Sequence, residues 1–176
     1  EAEKGIAESI KKGRSTLNGF PIVNHGVSGF RKVIEAIQSP ISMRYGAADP
    51  RLIDEIGYAG GHTKNPTYES SNTGKTGHAE AVEVIYNPEV VSFETLVEVY
   101  FGSQDPTQVN GQGPDIGSQY RSIIFYQNKE QKDIINKVKT EVAKDYEQPI
   151  AAEVLPFQKF WIAEDYHQNY YKKRGN

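Results

Sequence analysis

The sequence predicts an α+β fold, a two-layer sandwich in which helices cover a mixed sheet. Three observations point there. Strand-like and helix-like segments alternate along the chain without a repeat of fixed length, which argues against solenoids and propellers. The helical segments each carry one apolar stripe, so each needs one covering surface. The chain has 176 residues, the size of one domain, 1–176, rather than of two independent folds.

Charged residues with sparse apolar ones at Ile6 and Ile10 predict a short surface helix over 2–12, ended before Gly13. The run 16–23 (TLNGFPIV) reads as extended, and Gly19 and Pro21 restrict it to an edge strand or a strand opening into a loop. Ser28 caps a helix whose Phe30, Val33, Ile34 and Ile37 follow the i, i+3, i+4, i+7 stripe, with Arg31, Lys32 and Glu35 on the other face. Pro40 stops it and 41–45 forms a second short strand, so 15–45 make a strand, helix, strand unit. Asp49 and Pro50 open a short helix through Leu52 and Ile53.

From Gly57 to Gly77 the texture turns to Gly, Asn, Thr and Ser. A connection that long without structure of its own is a place for function. Residues 81–86 (AVEVIY) alternate as a strand, and Ser92 caps a helix with Phe93, Leu96, Val97, Tyr100 and Phe101 on one stripe. A second glycine-rich loop runs from Gly111 to Gly117. Residues 120–126 (YRSIIFY) read as a buried strand, 130–146 as a helix with Ile134, Ile135, Val138 and Val142 inward, and 150–155 as a last strand.

The net charge of -3 leaves no general electrostatic footprint for nucleic acid, and anionic membranes repel such a chain weakly, so neither is an expected partner. There is no cysteine, which excludes disulfides, thiolate metal sites and Cys-based redox or nucleophilic chemistry. No apolar run approaches the ~20 residues of a membrane span. Residues 1–4 lack the basic-then-apolar pattern of a signal peptide, so a cytoplasmic protein is the expectation.

Gly74-Lys75-Thr76-Gly77 has the ending of a phosphate loop, but the required earlier glycine falls at Glu69, and the plainer reading is a turn. His25, His62, His78 and His167 are scattered without the spacing of helical metal ligands, so neither metal nor cofactor is expected. Glu80 ends the first glycine-rich loop just before apolar strand residues. A carboxyl partly buried there is raised in pKa and ready to give a proton; the plainer reading is a solvated strand-end glutamate. Tyr68 lies in the first loop, and Asp115 and Tyr120 frame the second. Together these give one candidate acid and several polar groups converging on sheet ends, suited to a small polar substrate.

Gly57-Tyr58-Ala59-Gly60-Gly61, Asn65-Pro66-Thr67-Tyr68, Thr76-Gly77-His78-Ala79-Glu80-Ala81-Val82, Asp105-Pro106-Thr107, Gly117-Ser118-Gln119-Tyr120-Arg121-Ser122 and Ala163-Glu164-Asp165-Tyr166-His167-Gln168 occur in a single order. That order resembles peptide methionine sulfoxide reductase A over 57–176. The resemblance implies a sandwich with a ferredoxin-like core and a site for a methyl sulfoxide. In it Glu80 matches the acid that protonates the sulfoxide oxygen, and Tyr68, Asp115 and Tyr120 match the groups that orient oxygen and water. The family's nucleophile lies in a Gly-Cys-Phe-Trp-Gly motif that this chain lacks, Phe-Trp half included; Phe160-Trp161 stands near the other end.

Gly13-Arg14-Ser15-Thr16-Leu17-Asn18-Gly19-Phe20-Pro21, Val23-Asn24-His25-Gly26-Val27, Gly29-Phe30-Arg31-Lys32-Val33 and Met43-Arg44-Tyr45-Gly46-Ala47-Ala48-Asp49 resemble, over 3–61, a fragment of the glutamate mutase epsilon subunit, a TIM barrel. There Arg14 and Arg44 match arginines that grip substrate carboxylates, a role for the guanidinium fork. So short a fragment cannot close a barrel. The expectation is a hybrid chain, natural or engineered: a barrel-derived strand, helix, strand segment in 1–56 joined to a reductase-like segment in 57–176. Three functions follow: a sulfoxide-binding domain without reductase activity, a small anion or dicarboxylate binder through Arg14 and Arg44, or a fold without activity.

Overall fold

The structure, a computed structural model, describes residues 14–15, 53–85, 92–102 and 104–166. The expected elements over 2–12, 16–23, 28–37 and 41–45 lie outside these residues. In chain order the strands are β1 (Arg14–Ser15), β2 (Ile53–Ala59), β3 (Ala79–Ile85), β4 (Gly111–Gln112), β5 (Asp115–Ile116), β6 (Ile123–Tyr126), β7 (Glu153–Pro156) and β8 (Phe160–Ile162). The helices are α1 (Tyr68–Asn72), α2 (Phe93–Gly102) and α3 (Lys129–Val142).

Four strands form a sheet in the order β1-β3-β2-β8, antiparallel at every step. The parallel pairing expected of a mixed sheet is present, but in a separate ladder between β6 and β7, which α3 connects. That connection is what parallel neighbours need, because a tight turn cannot join them. The result is a mixed α/β fold, and among the described residues no strand set closes into a barrel.

Apolar periodicity places the helices. In α2, Phe93, Leu96, Val97, Tyr100 and Phe101 are all buried, and Ser92 Oγ accepts the Thr95 N–H at 3.1 Å to cap it. In α3, Ile135 and Val138 face the same cluster, and Asn128 caps the first turn by accepting the Gln131 N–H at 2.8 Å. Tyr58 and Val82 of the sheet complete this core, while Ala59, Ala79, Ala81, Ile123 and Phe125 form a second cluster on the opposite face.

Two expectations are corrected. Ile53 belongs to β2 rather than to a short helix, and residues 57–59, read as loop, continue that strand. The reason is packing: a Cβ on Gly57 would collide with the Trp161 carbonyl and the Phe160 ring of β8, so glycine here marks close strand approach. Within the remaining loop a Thr67 cap and a reciprocal Ser70 contact fold α1. The second glycine-rich loop contains the two-residue strands β4 and β5, paired as a hairpin.

Candidate functional site

Side chains alternate across a strand, so Glu80 shares a face of β3 with Val82, while Ala79 and Ala81 pack on the other. Glu80 is 1% exposed. Antiparallel register sets it opposite Tyr58, and Tyr58 opposite Trp161 of β8. Direct cross-strand neighbours touch, with Cβ atoms about 5 Å apart. A carboxyl, a phenol and an indole thus follow one another across three strands. This row brings Trp161 onto the side of the sheet that carries Glu80, despite the distance in sequence.

The loop leading into β3 is tied down by buried polar groups. Gly77 turns the chain at φ +72°, and His78 behind it is buried. The Gly61 N–H donates to His78 Nδ1 at 3.0 Å, which leaves Nε2 to donate to the Thr63 carbonyl at 2.9 Å. The ring is therefore neutral, and burial above all, with the charges of His62 and Arg121, holds its pKa below the ordinary value. Glu164, after β8, takes both ends of the neighbouring segment: Tyr58 Oη donates to Oε2 at 3.0 Å and the Tyr68 N–H to Oε1 at 2.9 Å. Burial, then this carboxylate and the charge of Glu80, pushes the Tyr58 phenol far above its ordinary pKa, so it stays a donor.

The second loop approaches from the other side. The Gly117 N–H donates to the Asn110 carbonyl at 2.8 Å, closing the β4–β5 hairpin, and a 3-10 turn at Ser118–Tyr120 follows. Behind the hairpin Gln112 Nε2 donates to Gln104 Oε1 at 3.2 Å, and Ser122 Oγ to the same oxygen at 3.3 Å. Asp115 is held with Oδ2 buried and without a hydrogen-bond partner among the described residues, and burial raises its pKa. The Tyr120 phenol donates to Asn72 Oδ1 at 3.4 Å. Its pKa is raised by burial first, then by the charge of Glu80, with smaller contributions from Tyr68 and Asp115.

Tyr120 thus lies within electrostatic reach of Glu80, Tyr68 and Asp115. The two loops converge. Arg14 is elsewhere: β1 pairs Arg14 with Ile85, five residues along β3 from Glu80, or about 17 Å at the strand rise. Arg44 lies outside the described residues. Sequence reasoning from residue type missed Tyr58, Glu164 and Arg121. A lone tyrosine among glycines and a glutamate in an exposed-looking segment give no periodic signal, and only the ordered motifs contained them.

Arg121 bonds both loops. Its Nη1 donates to the Ser118 carbonyl at 2.9 Å, Nη2 to the Gly77 carbonyl at 3.1 Å, and Nε approaches Glu153 Oε2 of β7 at 3.5 Å.

Comparison with known proteins gives two family matches on overlapping stretches. Residues 53–176 match the model of "Peptide methionine sulfoxide reductase", and residues 1–75 that of "Methylaspartate mutase E chain (MutE)". The chain is 51% identical over 122 residues to the peptide methionine sulfoxide reductase of Methanosarcina acetivorans, covering 68% of this chain and 65% of that one. It is 50% identical over 122 residues to that of Methanosarcina mazei, covering 68% and 58%. It therefore spans less than two thirds of either. Among solved structures, methionine sulfoxide reductase A of Corynebacterium diphtheriae superposes with a TM-score of 0.70 at 30% identity, over 93% of this chain and 76% of that one.

Proposed function

The chain belongs to the peptide methionine sulfoxide reductase family over residues 53–176, and on that premise we propose that it holds a methyl sulfoxide without reducing it. The observation that carries this reading is the gathering of Glu80, Tyr68 and Asp115 about Tyr120 in a chain with no cysteine. Phenols donate and a protonated carboxyl donates, so these groups suit an acceptor oxygen of high polarity. Reduction needs more. A thiol takes the oxygen as its sulfenic acid and is later regenerated, which the Ser28 hydroxyl cannot do. With the Phe-Trp pair of the missing motif also absent, the substrate methyl is loosely held, and binding is weak. A methionine sulfoxide peptide titrated into labelled protein should shift Tyr120 and Glu80 resonances. Absence of any shift overturns binding, and turnover with dithiothreitol above that of a Glu80→Ala control overturns inactivity.

The match of residues 1–75 to a mutase chain favours a second reading, a small-carboxylate site using Arg14 and Arg44. Glutamate titrated in the same way tests it. We read the chain as a hybrid, 1–56 of mutase type and 57–176 of reductase type within one domain. A chain that answers neither ligand is a fold without activity.

A further inference from the structure

We propose that Arg121 is the positioning residue of this site: its guanidinium fixes the separation between the turn that delivers Glu80 and the turn that delivers Tyr120. The inference rests on the sulfoxide-binding reading for its ligand but on geometry for its substance. Glu80 and Tyr120 belong to different loops, and neither is bonded to the other by any contact described above. What joins the loops is a small set of bonds. Two are long, Ser118 Oγ to the Gly74 carbonyl and Tyr120 Oη to Asn72 Oδ1, both 3.4 Å. The bonds from Arg121 to the Ser118 and Gly77 carbonyls are shorter, at 2.9 and 3.1 Å, and come from a single rigid plane. Gly77 stands three residues before Glu80, and Ser118 two before Tyr120.

The side chain suits the task. It is 13% exposed, and Glu153 of β7 holds its Nε edge, so the fork is anchored to the β6–β7 ladder while its tips reach the two turns. A planar guanidinium donates in fixed directions, whereas a lysine ammonium is one point charge on a flexible stem and cannot reproduce both carbonyl bonds at this spacing. His78, beside it and neutral, adds no repulsion while its Nδ1 accepts from Gly61. A sulfoxide oxygen placed between acid and phenol is therefore located by a residue that need not touch it.

The first measurement needs no ligand. In full-length protein carrying tyrosine labelled at Cζ, with Tyr120→Phe for assignment, the Tyr120 phenol titrates above 10 because of burial and Glu80. If Arg121 holds the turns together, Arg121→Lys and Arg121→Ala let them part, and the value falls toward 10. Removing a nearby positive charge without movement does the opposite, so an unchanged or raised value overturns the proposal. Arg121→Lys keeps charge and stem, and stands as the deciding variant should Arg121→Ala not fold. In the unsubstituted protein the Arg121 Nη groups should show slow rotation about the Cζ–Nη bonds, and free rotation would also overturn it.

The second measurement compares a methionine sulfoxide peptide with its thioether twin. Loss of positioning erodes the preference for the oxygenated ligand by about tenfold, the ratio equal to ~1.4 kcal/mol, and free guanidinium restores it in Arg121→Ala. General weakening of the fold lowers both affinities together and leaves the ratio alone, which sinks the positioning role. Should the unsubstituted protein bind neither peptide, the sulfoxide reading fails, and the tyrosine titration still decides Arg121.

Discussion

Replacing Tyr58 by Phe removes one oxygen from a fully buried ring and leaves its packing in place. The lost contact is the 3.0 Å bond to Glu164 Oε2. A hydrogen bond to a charged group contributes about 1.5–3 kcal/mol. The lower half of that range applies, because Glu164 is only part-buried and keeps the Tyr68 N–H on its other oxygen. The expected loss is about 1.5–2 kcal/mol, or roughly 3–8 °C in melting temperature for a chain this long. Urea unfolding at neutral pH measures it, and a double-mutant cycle with Glu164→Gln should return a coupling of about 1 kcal/mol. The sign of the pH dependence offers a second check. The folded phenol holds its proton more tightly than the unfolded one, so this contribution is complete below pH 10 and is lost as pH rises beyond it. The difference in stability between the two proteins should therefore shrink in alkali. A coupling under about 0.3 kcal/mol, within the error of independent sites, together with a pH-independent difference, refutes the reasoning.

Leu96→Ala, in the core between α2 and the sheet, should cost about 2–5 kcal/mol in urea unfolding. His78 is depressed in the folded state, so its contribution is complete above pH 6.5 and is lost as pH falls through the folded value; His78→Gln should flatten that acid limb in thermal melts. Gly77→Ala forces a side chain into a left-handed turn and brings its Cβ to 2.9 Å from His62 Nδ1. It should destabilise by at least about 1 kcal/mol.

The helical layer is legible in the sequence because apolar stripes in 93–101 and 130–142 leave few other ways to bury them. Glu80 is legible as an ionisable residue set against an apolar strand. The sheet is less so. Glycine lowers the strand signal of 53–59, yet it is the closeness of β8 that requires Gly57, and a contact across about a hundred residues leaves no local trace. Tyr58 and Glu164 escape for the same reason, since each acquires meaning only through the other. Asp115 and Tyr120 stand out by chemical type, whereas the arginine between their loops looks like any surface cation until its acceptors are known.

The order in which the chain contributes its strands has a consequence for synthesis. The β6–α3–β7 unit is contiguous, and such local pairing closes early because it spends little loop entropy. The inner strand β2 waits for β8 and Glu164, which leave the ribosome about a hundred residues later. At ~5–20 residues per second this interval lasts many seconds, during which the glycine-rich edge of β2 and the Tyr58 hydroxyl have no cover. A chain stalled after β7 should therefore protect the amides of β6 and α3 from exchange while those of β2 stay open.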